Sequence, residues 1–143
     1  MITEFRALTG IAVLAFGLAC STASPPSARP RESVANVLNT YVAAMKSGDY
    51  SRVTFAPEVT FVGPLTNGPI NGEAAVRAFL IRVSTDVKDI RVKRQLIDGE
   101  FAGVVAELET KDGTVVPYIE YFRVVDGRIV EIHPYFDPRP LIR

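Results

Sequence analysis

Residues 90–136 read IRVKRQLIDGEFAGVVAELETKDGTVVPYIEYFRVVDGRIVEIHPYF, and this stretch decides the fold. Asp98-Gly99, Asp112-Gly113 and Asp126-Gly127 interrupt it, and Asp-Gly pairs between alternating segments are typical of tight hairpin turns. Successive strands joined by such short turns must run antiparallel. The sequence therefore predicts a meander of four antiparallel strands, over residues 90–97, 101–110, 114–125 and 128–136.

Upstream of the meander the apolar residues follow helical spacing instead. A first helix is predicted from Ser33, its cap, to Gly48, and a second from Glu73 to about Val83, capped by Asn71. The first helix carries its apolar face at Val34, Val37, Leu38, Tyr41, Val42 and Met45. A strand over residues 55–62 and a glycine- and proline-rich loop over 63–72 separate the two helices. Helices followed by a strand meander predict an α+β fold.

The composition excludes several classes of protein. The chain has 143 residues, which corresponds to one domain. Its 16 basic and 16 acidic residues give no net charge, which argues against a nucleic-acid-binding protein. One cysteine cannot form an intrachain disulfide, and one histidine cannot build a histidine-rich metal site. We therefore expect no metal, no cofactor and no nucleic-acid partner.

The N-terminus has the pattern of an export signal. The apolar run from residue 7 to residue 20 is too short to span a bilayer, so residues 1–20 are interpreted as a signal. Its end, Gly17-Leu18-Ala19-Cys20, resembles a bacterial lipoprotein box with Cys20 as the lipidated residue; cleavage after Ala23 is the alternative. Residues 21–32 are proline- and serine-rich and predict a disordered tether to a domain over residues 33–143. The protein is thus expected to be exported, and to reach the membrane only through this anchor.

Two polar residues interrupt the apolar faces of the meander. Period two places Glu120 between Tyr118 and Phe122, and Arg94 between Val92 and Leu96. Burial disfavours the charged form of a carboxyl, so Glu120 is expected either to stay neutral or to form a buried ion pair with Arg94. On the opposite face, glutamates of the second meander strand are expected to pair with the basic residues of the first: Glu107 and Glu109 with Arg91 and Lys93, beside Gln95.

Five segments of the chain resemble the SnoaL-like, nuclear-transport-factor-2-like (NTF2-like) superfamily. They are YVAAMKSGDY at 41–50, APEVTF at 56–61, GEAAV at 72–76, FRVVDGRI at 122–129 and YFDP at 135–138. The resemblance implies a cone-shaped, cystatin-like fold, in which a curved antiparallel sheet wraps N-terminal helices around an apolar pocket. It also implies a homodimer through the outer face of the sheet, which would present Tyr121, Arg123, His133 and Tyr135.

The ketosteroid-isomerase-like relatives of this superfamily suggest which residues could carry chemistry. Their first-helix tyrosine matches Tyr41, and their oxyanion-hole aspartate falls on Glu120. Their general base would lie just after the first strand, where this chain has Val62-Gly63-Pro64, and neither glycine nor proline can accept a proton. The resemblance therefore leaves open whether this protein is an enzyme.

Two further polar residues carry weaker hypotheses. Asp137 follows the last strand, where some SnoaL-like cyclases hold an acid–base aspartate; the alternative is a turn before Pro138. His133 shares the parity of Glu131 and Tyr135, which predicts an outward position. Tyr41 fits either a pocket hydroxyl or a core aromatic.

The sequence supports three functional hypotheses. The first is binding of a small, largely apolar molecule, with these ligand contacts: Tyr41, Phe61, Phe79, Arg94, Tyr118, Glu120 and Phe136. The second is an isomerase, cyclase or dehydratase whose acid–base residues are Tyr41, Glu120 and Asp137. The third is a cell-envelope interaction module whose pocket is filled by its own side chains and whose outer sheet face binds a partner.

Overall fold

A computed structural model describes residues 29–142 of the chain. The predicted signal over residues 1–20, including Cys20, lies outside these residues, as does the tether up to residue 28. The elements are α1 (Arg29–Ser47), β1 (Phe55–Phe61), β2 (Ile70–Asn71), α2 (Glu73–Ser84), β3 (Val87–Asp98), β4 (Phe101–Thr110), β5 (Val115–Val125) and β6 (Arg128–Tyr135). No helix among the described residues combines the length and the apolar character needed to cross a membrane.

Helix α1 is longer than its apolar pattern predicts. It begins at Arg29, four residues before Ser33, and therefore includes the last residues of the predicted tether. Its C-terminus agrees with the prediction, because Gly48 adopts a φ of 75° and donates its N–H to the Ala44 carbonyl at 2.7 Å. Leu38 and Tyr41 are fully buried on the face that packs against the sheet.

The six strands form one sheet in the order β2-β1-β6-β5-β4-β3. The three hairpins β3–β4, β4–β5 and β5–β6 are antiparallel, which confirms the predicted meander. β1 runs parallel to β6, a pairing that the sequence did not predict. The helices cover one face of this curved sheet, and the hydrophobic core lies between them. The α+β cone is therefore confirmed.

A bulge in β3 changes which of its residues face the helices. The β3–β4 register shifts between Val92 and Arg94, so two consecutive residues there do not alternate. Arg94 lies opposite Val105 and is exposed, whereas Gln95 turns towards α1 and donates to Asn39 Oδ1 at 2.8 Å. The inward position predicted for Arg94 is wrong for this reason, and Leu96, also expected inward, is 60% exposed.

The ion pairs predicted for the outer face are present before the bulge. Arg91 contacts Glu107 at 3.4 Å and Glu109 at 3.0 Å, and Lys93 contacts Glu107 at 3.1 Å. Gln95 was expected on the same face, but the bulge moves it to the other. Period two thus predicts side-chain direction up to the irregularity and fails beyond it.

The start of α2 differs from the prediction that Asn71 caps it. The residue at the N-cap is Gly72, with a φ of 90° and no side-chain hydrogen bond. Asn71 instead lies in β2, where its Oδ1 accepts a hydrogen bond from Thr60 Oγ1 at 3.1 Å. Asn71 therefore stabilises the β1–β2 pairing and not the helix.

Arg77 of α2 ties that helix to the turn between α1 and β1. Its guanidinium donates to the carbonyl oxygens of Tyr50 and Val53 and lies 5.0 Å from the ring centre of Phe55. It also pairs with Glu73 at 2.7 Å. These contacts place α2 against β1, and α2 contributes Phe79 and Leu80 to the cavity described below.

Replacing Arg77 by Met should lower the free energy of unfolding by about 1–3 kcal/mol, because two carbonyls lose their donors. Urea unfolding measures this change. Glu73→Gln is the matched control, since it removes only the exposed ion pair and should cost less than about 1 kcal/mol. Equal effects of the two substitutions would contradict the role given to the carbonyl contacts.

Candidate functional site

A cavity of about 460 Å³ opens between the helices and the inner face of the sheet. Its wall is mostly apolar and combines α1, α2, five strands and the C-terminal segment: Met45, Phe61, Phe79, Leu80, Val83, Val87, Leu108, Val116, Pro134, Phe136, Pro140 and Leu141. The period-two pattern of the strands and the helical spacing of α2 point most of these side chains inward. The result is a concave apolar site of the size that ordinary small molecules occupy.

Glu120 is the buried carboxyl of this cavity. It lies on β5, is 2% exposed, and accepts a hydrogen bond on Oε1 from the hydroxyl of Tyr41 at 2.9 Å. Desolvation raises the pKa of Glu120 to about 8, and the bond from Tyr41 lowers it by less. Glu120 is therefore a neutral acid at pH 7.

The expectation of an ion pair between Glu120 and Arg94 is wrong. The bulge in β3 places Arg94 on the row of Val105 and Ile119, and Ile119 is exposed on the outer face. Among the described residues no ion pair involves Glu120, and its hydrogen-bond partner is a neutral phenol. The neutral form, which was the other expectation, is what this environment favours.

Tyr41 holds Glu120 from behind the cavity wall. Its side chain is fully buried, is not part of the cavity lining, and packs edge-on against Tyr50 and Phe122, with ring centres 6.1 and 5.0 Å away. Burial first, and then the proximity of Glu120, raises the pKa of Tyr41 well above its usual value. The Tyr41 hydroxyl therefore stays protonated and donates a hydrogen bond to Glu120.

Tyr118 lies two residues before Glu120 on the same face of β5 and lines the cavity. It is 6% exposed, and its hydroxyl has no hydrogen-bond partner among the described residues. Burial, and then Glu120, raises the pKa of Tyr118, so it remains a neutral donor. Tyr118 therefore contributes, beside Glu120, a second polar side chain to a mostly apolar wall.

The structure brings five of the seven predicted contact residues to the cavity: Phe61, Phe79, Tyr118, Glu120 and Phe136. Tyr41 and Arg94 do not line it. Asp137 also lies away from it and pairs with Arg139, which lowers the pKa of Asp137 to about 2. The Asp137 carboxylate therefore stabilises a turn at the end of β6, as the alternative expectation had it.

Gly63 and Pro64, where the sequence resemblance led us to look for a general base, both line the cavity. A Cβ on Gly63 would lie 2.8 Å from Pro134 Cγ, which is closer than two carbon atoms can pack. The close approach of β6 thus requires glycine here, and this part of the wall supplies no proton acceptor.

Sequence reasoning missed the residues at the edge of the cavity. Leu65 lies after β1, Asp86 joins α2 to β3, Lys111 and Asp112 form the β4–β5 turn, and Leu141 belongs to the C-terminal segment. Asp112 is held locally, because its Oδ1 accepts from the Thr114 N–H at 3.0 Å. These residues lie in turns and loops, where no periodic pattern indicates direction. Across residues 29–142 no three histidine, cysteine or carboxylate side chains are grouped to hold a metal ion.

The outer face of the sheet carries an aromatic cluster. Tyr121 packs against His133 and Phe101, with ring centres 5.6 and 6.3 Å away, and Tyr135 is 63% exposed. Arg123 lies 3.5 Å from both Glu100 and Glu131. The outward position of His133 is confirmed. The homodimer through this face stays a prediction.

The stability of the protein should fall as pH rises from about 5 to 8. In that range the folded state retains the Glu120 proton that the unfolded chain releases near pH 4.5, so the folded state binds more protons. The slope reaches about 1.4 kcal/mol per pH unit at most. Glu120→Gln, which keeps an acceptor for Tyr41, should remove this slope and exceed wild type in stability at pH 8.

Urea unfolding of both proteins at each pH measures the difference between their free energies of unfolding. The contributions of the exposed carboxylates are the same in both proteins and cancel in this difference. A difference between the two proteins that stays constant over this range would show that Glu120 is already ionised in the folded protein.

The fold is NTF2-like, as the sequence resemblance implied, since proteins of that description are among its structural neighbours. A protein from Kribbella flavida DSM 17836 is 26% identical, with a TM-score of 0.67 over 74% of this chain and 88% of that one. A putative SnoaL-like polyketide cyclase from Jannaschia sp. CCS1 is 14% identical, with a TM-score of 0.67 over 83% and 95%.

A protein from Catenulispora acidiphila DSM 44928 with a ketosteroid isomerase-like fold, in complex with trimethylamine, is 14% identical. Its TM-score is 0.61 over 71% of this chain and 85% of that one. No curated protein matches the sequence. The profile of the family described as a domain of unknown function (DUF4904) matches residues 29–143, and the chain belongs to that family.

Proposed function

We propose that this domain binds one small, largely apolar molecule in the cavity, with a polar group of that molecule placed at Glu120. The observation that carries the proposal is a buried carboxyl in the wall of an open apolar cavity, hydrogen-bonded to a tyrosine and with no ion-pair partner among the described residues. Export of the protein and its anchoring through Cys20 are independent of this proposal, and both stay predictions.

The apolar wall supplies the binding free energy in this proposal. Each Å² of apolar surface removed from water contributes about 25 cal/mol, so a molecule of a dozen carbon atoms gains several kcal/mol on entering. Phe61 and Phe79 lie with ring centres 4.8 Å apart at the wall and offer a broad aromatic surface to it. Because the chain has no net charge, it does not attract a charged ligand over long range, and an uncharged molecule fits the proposal.

The neutral carboxyl supplies orientation. Tyr41 donates to Oε1 of Glu120, and a protonated carboxyl retains one O–H donor of its own. A ligand that accepts this proton is held at one end while its apolar body fills the remaining space. The Catenulispora protein holds a small molecule in its crystal structure, which is consistent with this use of the fold.

The interaction-module hypothesis has less support. It expected a pocket filled by the protein's own side chains, whereas the cavity has a volume of about 460 Å³. The aromatic cluster of the outer face does not depend on the cavity, so a partner bound there is compatible with a ligand inside.

Native mass spectrometry of the protein purified gently from its own host should detect a bound small molecule that leaves on denaturation. Leu108→Trp is the matched control, because Leu108 lines the cavity and is only half-buried, so a larger side chain fills the space without a severe clash. The variant should lose the extra mass and keep its fold by circular dichroism. Equal retention of the molecule by both proteins would place its site elsewhere.

A second candidate function is acid–base catalysis of the isomerase or cyclase type. The specific observation in its favour is the burial of the Glu120 carboxyl in the cavity wall, which raises its pKa to about 8 and allows it to give or take a proton near neutral pH. Tyr41 would position this group, whereas Asp137 does not line the cavity and pairs with Arg139, so it is given no role in this chemistry.

Under this second candidate, Glu120→Gln should lower kcat by about 10²-fold or more, the usual contribution of a general acid or base, without loss of stability. Steady-state kinetics on a turned-over substrate measures this effect. Asp137→Asn is the control and should leave kcat within about twofold. Full activity of the Gln variant would restrict the domain to binding.

A further inference from the structure

We propose that residues 137–142, which we call the cover, form a hinged gate over the cavity and open as one unit to let the ligand enter and leave. The hinge lies just beyond the end of β6, between Phe136 and Asp137. The inference rests on the proposed function and concerns how a ligand gains access to the site.

The cover forms part of the cavity wall at the opening of the cavity. Residues that line the cavity and also face solvent mark this opening, and the cover supplies two of them. Pro140 lines the cavity and is exposed, and Leu141 lines it and is half-buried. The loop after β1 supplies another part of the opening, because Leu65 lines the cavity and is 42% exposed.

No polar contact among the described residues holds the cover against the rest of the domain. Its hydrogen bonds are internal: the Leu141 N–H donates to the Pro138 carbonyl at 2.9 Å, and Arg139 donates to the Asp137 carboxylate. Its ion pair, between the same Arg139 and Asp137, is internal as well. β6, by contrast, is hydrogen-bonded to a strand on each side. Displacement of the cover therefore breaks no hydrogen bond between the described residues.

The cover is stiff in itself, which makes it move as a unit. Pro138 and Pro140 fix their own φ angles and restrict the residue before each of them to extended backbone. The Arg139 guanidinium grips the Asp137 carboxylate, with Nε 2.8 and 2.9 Å from its two oxygens, and closes the turn between them. Movement of a stiff segment is concentrated at its junction with the sheet, as in other hinged closures.

The loop after β1 is the fixed side of the opening. It lies between the paired strands β1 and β2, and the Val62 N–H at its start donates to the Ile132 carbonyl at 3.0 Å. Gly63 packs so closely on Pro134 that an added Cβ would lie 2.8 Å from Pro134 Cγ. Movement of this loop would disturb the pairing of β1 with β6, whereas movement of the cover would not. The moving part of the opening is therefore the cover.

Stopped-flow fluorescence with N-phenyl-1-naphthylamine, an uncharged and largely apolar probe, separates the association and dissociation rate constants of the site. Leu141→Ala removes apolar contact that holds the cover closed. Because the closed state is weakened with and without the probe, both rate constants should rise about threefold to tenfold, and Kd should stay within about twofold.

Leu108→Ala is the matched control for this experiment. Leu108 is also a half-buried leucine that lines the cavity, but it lies on β4 and not on the cover. Its truncation removes contact with the bound probe and leaves the gate intact. The variant should therefore raise the dissociation rate constant and leave the association rate constant within about twofold of wild type.

Nitrogen-15 relaxation dispersion on the protein without ligand measures the opening itself. The amides of Arg139, Leu141 and Ile142 should exchange with one common rate constant in the microsecond-to-millisecond range, because the cover moves as a unit. Saturation with the probe should suppress this exchange, and Leu141→Ala should increase it.

The gate is overturned if Leu141→Ala raises only the dissociation rate constant, as Leu108→Ala does, or changes neither rate constant. It is also overturned if the three amides show no exchange or exchange at unrelated rates. Failure of the wild type to bind the probe contradicts the proposed function instead, and the exchange measured without ligand still decides whether the cover opens.

Discussion

The hydrogen bond from Tyr41 to Glu120 joins residues 79 positions apart, and the character of the site depends on it. It connects α1 to β5 at the edge of the core, where Tyr41 is fully buried and Glu120 is 2% exposed in the cavity wall. Because Tyr41 is neutral, the bond satisfies one carboxyl oxygen without offsetting a negative charge. Burial raises the pKa of Glu120 by more than the bond from Tyr41 lowers it, so the neutral carboxyl is favoured and gives the cavity a donor.

The neutrality of that carboxyl depends in turn on an irregularity two strands away. Regular alternation along β3 would direct Arg94 to the inner face, where a guanidinium could pair with Glu120. The bulge after Val92 turns Arg94 outward and places Gln95 against Asn39 of α1. One additional residue in an edge strand thus decides whether the domain contains a buried ion pair or a neutral acid.

The meander and the first helix could be predicted because Asp-Gly turns and apolar periodicity are local signals. The buried position of Glu120 also followed from its place between Tyr118 and Phe122 on β5. The bulge in β3 and the parallel pairing of β1 with β6 could not be predicted, since both depend on contacts distant in sequence. Leu65 and Leu141 line the cavity from irregular segments, where no periodic pattern indicates which way a side chain points. The pairing of Asp137 with Arg139 was also not predicted.

The protonation of Glu120 is the central claim, and carbon-13 NMR of protein labelled at the glutamate carboxyl carbons tests it most directly. Glu120→Gln identifies the resonance by its disappearance. The account predicts a protonated chemical shift at pH 7 and a midpoint near pH 8. A midpoint near pH 4.5, the ordinary range of an exposed glutamate, would contradict the neutral acid on which the proposed site depends.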